Sequence, residues 1–232
     1  MAPRRDVARR TPLSRERVLE AAVGLADREG IEALTMRRLA QELGVEAMSL
    51  YHHVPNKEAI LDGVAEVVLT QVNDAVDQLD AQVAQEGWQA AMRRRVLTAR
   101  EVMLRHPWAP QVLETRTTMS LPVIGYFDGV LGVLLAGGFS YDLAHHALHA
   151  LGSRALGFTQ ELFEPDDHEV GEAEAMAVLE QVADRFPSLA GMMAAVSHDP
   201  ADPTLGWCDD QREFEFGLDV ILDGLERRRR AG

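Results

Sequence analysis

The chain has 232 residues, is 47% hydrophobic, and carries a formal net charge of −14 with a single cysteine. That length accommodates a small domain plus a larger one with its own core. One cysteine, Cys208, excludes an intrachain disulfide and suits a reducing cytosol, and the adjacent Asp209 and Asp210 disfavour the thiolate a nucleophile would need.

The charge is unevenly spread. Residues 1–60 hold ten Lys/Arg against nine Asp/Glu, so the acidic excess lies entirely in the rest of the chain. A basic end on an acidic body turns that end toward a polyanion. Arg4, Arg5, Arg9 and Arg10 make residues 1–13 a basic flexible arm, too polar to fold alone and suited to a minor groove. No apolar stretch follows it as in a secretory leader, which points to a cytoplasmic protein. Leu121 to Phe139, the most apolar segment, is interrupted by Asp128 and spotted with glycines, and reads as a buried helix and not a membrane span.

Ser14 is a cap for a first helix whose stripe of Val18, Leu19, Ala22, Leu25 and Ala26 ends at Gly30. Thr35 caps a second, from Met36 to Leu43, which Gly44 stops by taking the left-handed conformation. A third begins near Glu46 or Ala47, turns Ala47, Leu50 and Val54 inward, leaves Met48, Ser49, Tyr51 and His52 outward, and ends before Pro55. This is helix-turn-helix spacing. Asn56 caps the next helix and places Lys57 in its first turn. A cation there opposes the helix dipole unless it shares a phosphate with the free N–H groups of that turn.

The helix from Lys57 continues through Ile60, Leu61, Val64, Val68 and Val72 and so connects mechanically to the second domain. After Gly87, a helix from Trp88 carries Met92, Val96, Ala99 and Met103 inward, with Arg93, Arg94 and Arg95 read as a solvated face. A short helix follows His106-Pro107. In the next, Gly125, Gly129 and Gly132 share a face that allows very close approach of another backbone or leaves room for a ligand, close packing being the preferred reading. Tyr141 to Phe163 is amphipathic and holds His145, His146 and His149. The spacing of His145 and His149 would suit a metal, but no third ligand is evident, so packing is the preferred role. Residues 164–171 form an acidic loop, Ala173–Phe186 and Ser188–Val196 read as helical, and residues 198–210 as an irregular linker. A final helix, Gln211 to Arg229, is striped by Phe214, Leu218, Ile221, Leu222 and Leu225, and its closing arginines complement the dipole. Two such apolar helices exceed what one small bundle buries, and a second copy of the chain would cover them in a four-helix bundle.

The segments LTMRRLAQELGV and SLYHHVPNKEAIL resemble the DNA-binding domain of the tetracycline-repressor (TetR) family of transcriptional regulators. The resemblance covers residues 14 to about 61 and extends weakly through GFSYDLAHHALHALGSRALGFTQE. It implies that Thr35, Ser49, Tyr51 and Lys57 hold phosphates, that Arg37 reaches a guanine edge, and that His53 lies near the DNA backbone. Ala47, Met48 and His52 fall at base-reading positions where the repressor that gives the family its name has glutamine, proline and tryptophan, which implies a different operator. Thr115-Arg116 matches a Thr-Arg pair in that repressor's drug-responsive loop, whereas Leu113 stands where its metal-binding histidine would be, which argues against a magnesium–tetracycline effector.

The expectation is thus an all-α chain with a three-helix helix-turn-helix domain at 14–61 and a helical ligand-binding and dimerisation domain at 62–232. Its function would be that of a homodimeric repressor released from a palindromic operator by a small molecule, with Asn73, Trp108, Thr115, Arg116 and Phe127 as pocket candidates. No cofactor, metal or catalytic residue is expected. The rival readings are a constitutive or protein-controlled DNA-binding regulator and, further off, an all-α metal enzyme built on His145 and His149.

Overall fold

The computed structural model describes residues 12–80, 87–116, 120–157, 185–188, 191 and 210–232. Among them the regular elements are nine α-helices and one 3-10 turn, so the fold is all-α. The helices are α1 (Arg15–Glu29), α2 (Met36–Leu43), α3 (Ala47–Leu50), α4 (Lys57–Asp80), α5 (Trp88–Arg105), α6 (Ala109–Thr115), α7 (Leu121–Ala136), α8 (Tyr141–Gly157) and α9 (Asp210–Ala231). By contacts the chain falls into two compact units, Met1–Thr159 with Leu218–Gly232, and Gln160–Gly217.

Local sequence sets the first boundaries. Ser14 Oγ accepts the Arg17 N–H and Gly30, at φ 81, ends α1, whose Val18, Leu19, Ala22, Leu25 and Ala26 are buried together. Leu34, Leu39, Leu50, Val54 and Ile60 close the small core against them. That core does not stop at the head. It runs on without interruption along Val64, Val68, Val72 and Val76 of α4 to Ala99 and Met103 of α5 and Trp108 and Val112 at α6. The position between residues 61 and 62 falls inside α4, with no break in the helix.

Four features differ from the sequence reading. The third helix is α-helical only over Ala47–Leu50; the N–H groups of His53 and Val54 both reach Leu50 O at 2.8 Å, tightening the end before Pro55. The arginine run is not a solvated face throughout, because Arg95 is buried. Its guanidinium lies over the Tyr126 ring, 5.3 Å from the centroid, in space that Gly129 leaves open: a Cβ there would come within 2.2 Å of Arg95 Nη2. Gly132, by contrast, has nothing within 4 Å of such a Cβ, so the close approach belongs to one of the three glycines and not to the whole face. Finally, α7 buries Val130 and Leu134 but exposes Leu121, Ile124 and Phe127 in the single chain. Its composition is apolar all round, which reveals no preferred side. The expectations for residues 1–11 and 164–171, for most of 173–196, and for 198–209 with Cys208 lie outside the described residues.

Candidate functional site

Two regions concentrate the chemistry: the outer surface of α2, α3 and the start of α4, and a cavity among α4, α5, α7 and α8. On the surface, Thr35 Oγ1 accepts the Arg38 N–H at 3.1 Å to begin α2. Gly44, at φ 64, ends it, and Val45 N–H turns back to Ala40 O at 3.0 Å. Only a residue at home in the left-handed region makes that corner without strain. The corner sets α3 with Leu50 buried and Met48, Tyr51 and His52 exposed, the methionine at 71%. Ala47, Ser49 and His53 are half-buried.

At the start of α4, Asn56 Oδ1 accepts the Ala59 N–H at 2.8 Å, and Ile60 N–H reaches Asn56 O. Among the described residues this leaves the N–H groups of Lys57 and Glu58 for an outside acceptor. The cations around α2 and the start of α4 divide into two sets. Arg38 is bonded to Glu29 and Glu42, and Arg28 to Glu42 at 2.7 Å, behind the surface. Arg38 holds the Glu29 carboxyl below its usual range by that hydrogen bond. Thr35, Arg37 and Lys57 are exposed, and among the described residues neither Arg37 nor Lys57 is paired with a carboxylate. An unspent arginine and lysine, the free N–H groups at the start of α4, and Ser49, Tyr51 and His53 in the chain between are all groups able to bind phosphate oxygens.

The cavity has a volume of about 240 Å³. Ala65, Leu69 and Val72 of α4, Met92, Val96, Ala99 and Met103 of α5, Val123, Tyr126, Phe127 and Val130 of α7, and Leu148 and Leu151 of α8 make it largely apolar. Asp62, Glu66, Arg116 and Ser120 supply its polar groups. Ser120 Oγ is buried and has no hydrogen-bond partner among the described residues. Burial raises the Tyr126 phenol above its usual range, so it stays a neutral hydroxyl. Arg116 Nη1 donates to Glu58 Oε2 at 2.7 Å and to Asp62 Oδ1 at 3.2 Å, and these bonds raise its already high pKa.

Of the five pocket candidates, Arg116 and Phe127 line this cavity and Asn73, Trp108 and Thr115 do not. Asn73 Nδ2 donates to Pro122 O at 2.9 Å. Thr115 Oγ1 donates to Val112 O at 2.8 Å. Trp108 is buried with His106 at the junction of α5 and α6, its Nε1 donating to Asp27 Oδ1 of α1 at 2.7 Å. The rest of the lining, above all Met92, Val96, Ala99 and Met103, carries in the sequence only the signal of an apolar stripe, which looks the same whether it faces side chains or a void. Leu113, also in the wall, offers no metal ligand. His145 and His149 stack edge to face, ring centroids 4.7 Å apart, on the exposed side of α8. Among the described residues no group of three or more His, Cys, Asp or Glu is placed to hold a metal ion, and no helix is long and apolar enough to cross a membrane.

Known proteins resemble this chain over both of its parts. Residues 18–64 match the family described as "Bacterial regulatory proteins, tetR family", and residues 82–229 match "Tetracyclin repressor-like, C-terminal domain". The chain is 32% identical over 224 residues to the HTH-type transcriptional repressor DrrR1 of Streptomyces coeruleorubidus, covering 92% of this chain and 77% of that one. Among solved structures, a possible TetR family transcriptional regulator from Streptomyces coelicolor A3(2) superposes with a TM-score of 0.72 at 28% identity, covering 92% of this chain and 99% of that chain. The Streptomyces coelicolor TetR family protein ActR in complex with actinorhodin gives 0.65 at 27% identity, covering 93% and 96%. The chain therefore belongs to the TetR family of transcriptional regulators.

Proposed function

We propose that this protein is a homodimeric repressor that holds a palindromic operator through the Thr35–Lys57 surface and releases it when a small, mainly apolar molecule enters the cavity. The observation that carries this reading is the continuity of α4. One unbroken helix begins at Lys57 and, between about two and four turns on, supplies Ala65, Leu69 and Val72 to the cavity wall. A ligand that repacks the wall moves the end of the helix that meets DNA.

The family resemblance and the exposure of Thr35, Arg37, Met48, Tyr51, His52 and Lys57 support the residue roles proposed. Lys57, Tyr51, Ser49 and Thr35 hold phosphates, His53 supports them near the backbone, and Arg37, Ala47, Met48 and His52 face base edges, Arg37 as the bidentate donor to guanine. Met48 offers an apolar contact to a thymine methyl instead of a hydrogen bond. Two heads must reach major grooves about 34 Å apart on one duplex face, so a second copy is required. The exposed Tyr141 of α8 and Val220 of α9 supply apolar surface for that pairing. In the cavity, Phe127 contributes an aromatic wall, and Arg116 and the unpartnered Ser120 hydroxyl contribute the polar contacts that orient a ligand. That open, partly polar cavity favours an effector-controlled repressor over a constitutive one.

Selection of duplexes from a random pool by the purified protein, followed by rebinding with a small-molecule collection, tests the reading. The expected result is a palindromic site bound by two chains and released by at least one apolar compound. Failure to enrich any duplex would overturn the proposal.

A further inference from the structure

Arg116 belongs to both regions at once. It lines the cavity, its side chain is only 17% exposed, and its guanidinium is shared between Glu58 and Asp62. Glu58 is the residue after Lys57, in the first turn of α4, with a side chain 67% exposed. A carboxylate at that position suits the helix dipole but repels a phosphate held by Lys57 and the free N–H groups. Its compensating charge comes from the cavity wall.

We propose that Arg116 is a positioning residue that couples cavity to DNA electrostatically: seated on Glu58 it masks that carboxylate beside the phosphate site, and a ligand that draws it into the cavity unmasks it. This rests on the DNA-binding reading above, and adds to it a charge that changes partners without any displacement of the head. A purely mechanical tie between Arg116 and α4 makes the opposite forecast for one variant. If the bond matters as a tether, removing either partner weakens DNA binding alike. If the masked charge matters, removing Glu58 costs nothing and repairs the loss of Arg116.

The test uses the full chain and a duplex selected by the wild type, with affinity measured against KCl concentration for Arg116→Gln, Glu58→Gln and the double variant. Arg116→Gln is expected to bind roughly five-fold more weakly at low salt, with the gap closing as salt screens the bare carboxylate. Glu58→Gln is expected to bind at least as tightly as wild type, and the double variant to regain most of the lost affinity. Asp62 is left bare in both Arg116 variants, so their difference isolates Glu58. A double variant as weak as Arg116→Gln overturns the proposal. So does a Glu58→Gln single variant weaker than wild type, which decides the matter even if Arg116→Gln does not fold. Wild-type protein that selects no duplex would instead remove the DNA-binding reading itself.

Discussion

The Trp108 indole N–H donates to Asp27 Oδ1 at 2.7 Å, and the same oxygen lies 2.8 Å from His106 Nδ1. His106 Nε2 in turn lies 3.1 Å from Gln71 Oε1, so a carboxylate at the end of α1 is fastened to α4, to the end of α5 and to the start of α6. Because His106 and Trp108 are buried, their N–H groups have no water to fall back on. Asp27→Ala is therefore expected to lower unfolding stability by about 2 kcal/mol, the cost of buried donors left unpaired, with Asp27→Asn losing less because one acceptor remains. Urea unfolding measures this, and a loss under about 0.5 kcal/mol for the alanine variant would show that the cluster is not a stabilising junction.

The surface roles predict a particular salt response. Lys57→Ala is expected to weaken binding to every duplex by a similar factor and to reduce the slope of log K against log salt by about one. Tyr51→Ala, which removes a neutral hydroxyl, should weaken binding while leaving the slope as it was. Arg37→Ala should instead relax sequence preference at a single base pair, at about 1–3 kcal/mol of discrimination. Equal slopes for wild type and Lys57→Ala in an anisotropy titration would remove Lys57 from the phosphate contacts.

Much of the head was legible because its signals are local. Ser14, Thr35 and Asn56 each cap the helix they were expected to cap, and Gly44 makes the corner, because a cap or a left-handed residue acts within four positions. The cavity was less legible. Of the expected pocket residues Arg116 and Phe127 line it, but Trp108 is committed to Asp27, a partner 81 residues away that no periodicity reveals. Arg95 illustrates the same limit: its burial depends on Gly129 and Tyr126 of another helix, and within its own helix it looks like any exposed arginine.

Glu226 should contribute to the protein's acid sensitivity, beside Glu29, whose carboxyl Arg38 also holds low. Glu226 accepts from Arg229 Nε at 2.7 Å, from Trp88 Nε1 at 2.9 Å and from Arg230 Nε at 2.7 Å. These bonds, led by Arg229, hold its pKa down to about 2. An unfolded glutamate titrates at about 4.3, so between the two values the unfolded chain binds the extra proton. The stabilisation is complete above that unfolded pKa and is lost as pH falls toward 2. Thermal midpoints measured from pH 6 downward should drop less steeply for Glu226→Gln than for wild type, and parallel curves would count against the assignment.

Two glycines of the α7 region should respond to alanine with opposite signs. At Gly137 the backbone, φ −73 and ψ −1, suits any residue, so only space opposes a side chain. A Cβ there would sit 2.6 Å from Trp88 Cβ and 2.7 Å from its Cγ, atoms close to the backbone of α5 that cannot swing aside. The indole is further fixed edge-on to Phe139, with ring centroids 4.6 Å apart, and by its bond to Glu226. Gly137→Ala is accordingly expected to destabilise by about 1–3 kcal/mol through overpacking. Gly132, inside α7, has an open surround, and alanine there should stabilise by about 0.5–1 kcal/mol by restricting the unfolded chain and favouring the helix. Denaturant midpoints that shift in the same direction for both variants would mean that crowding by Trp88 does not govern the turn after α7.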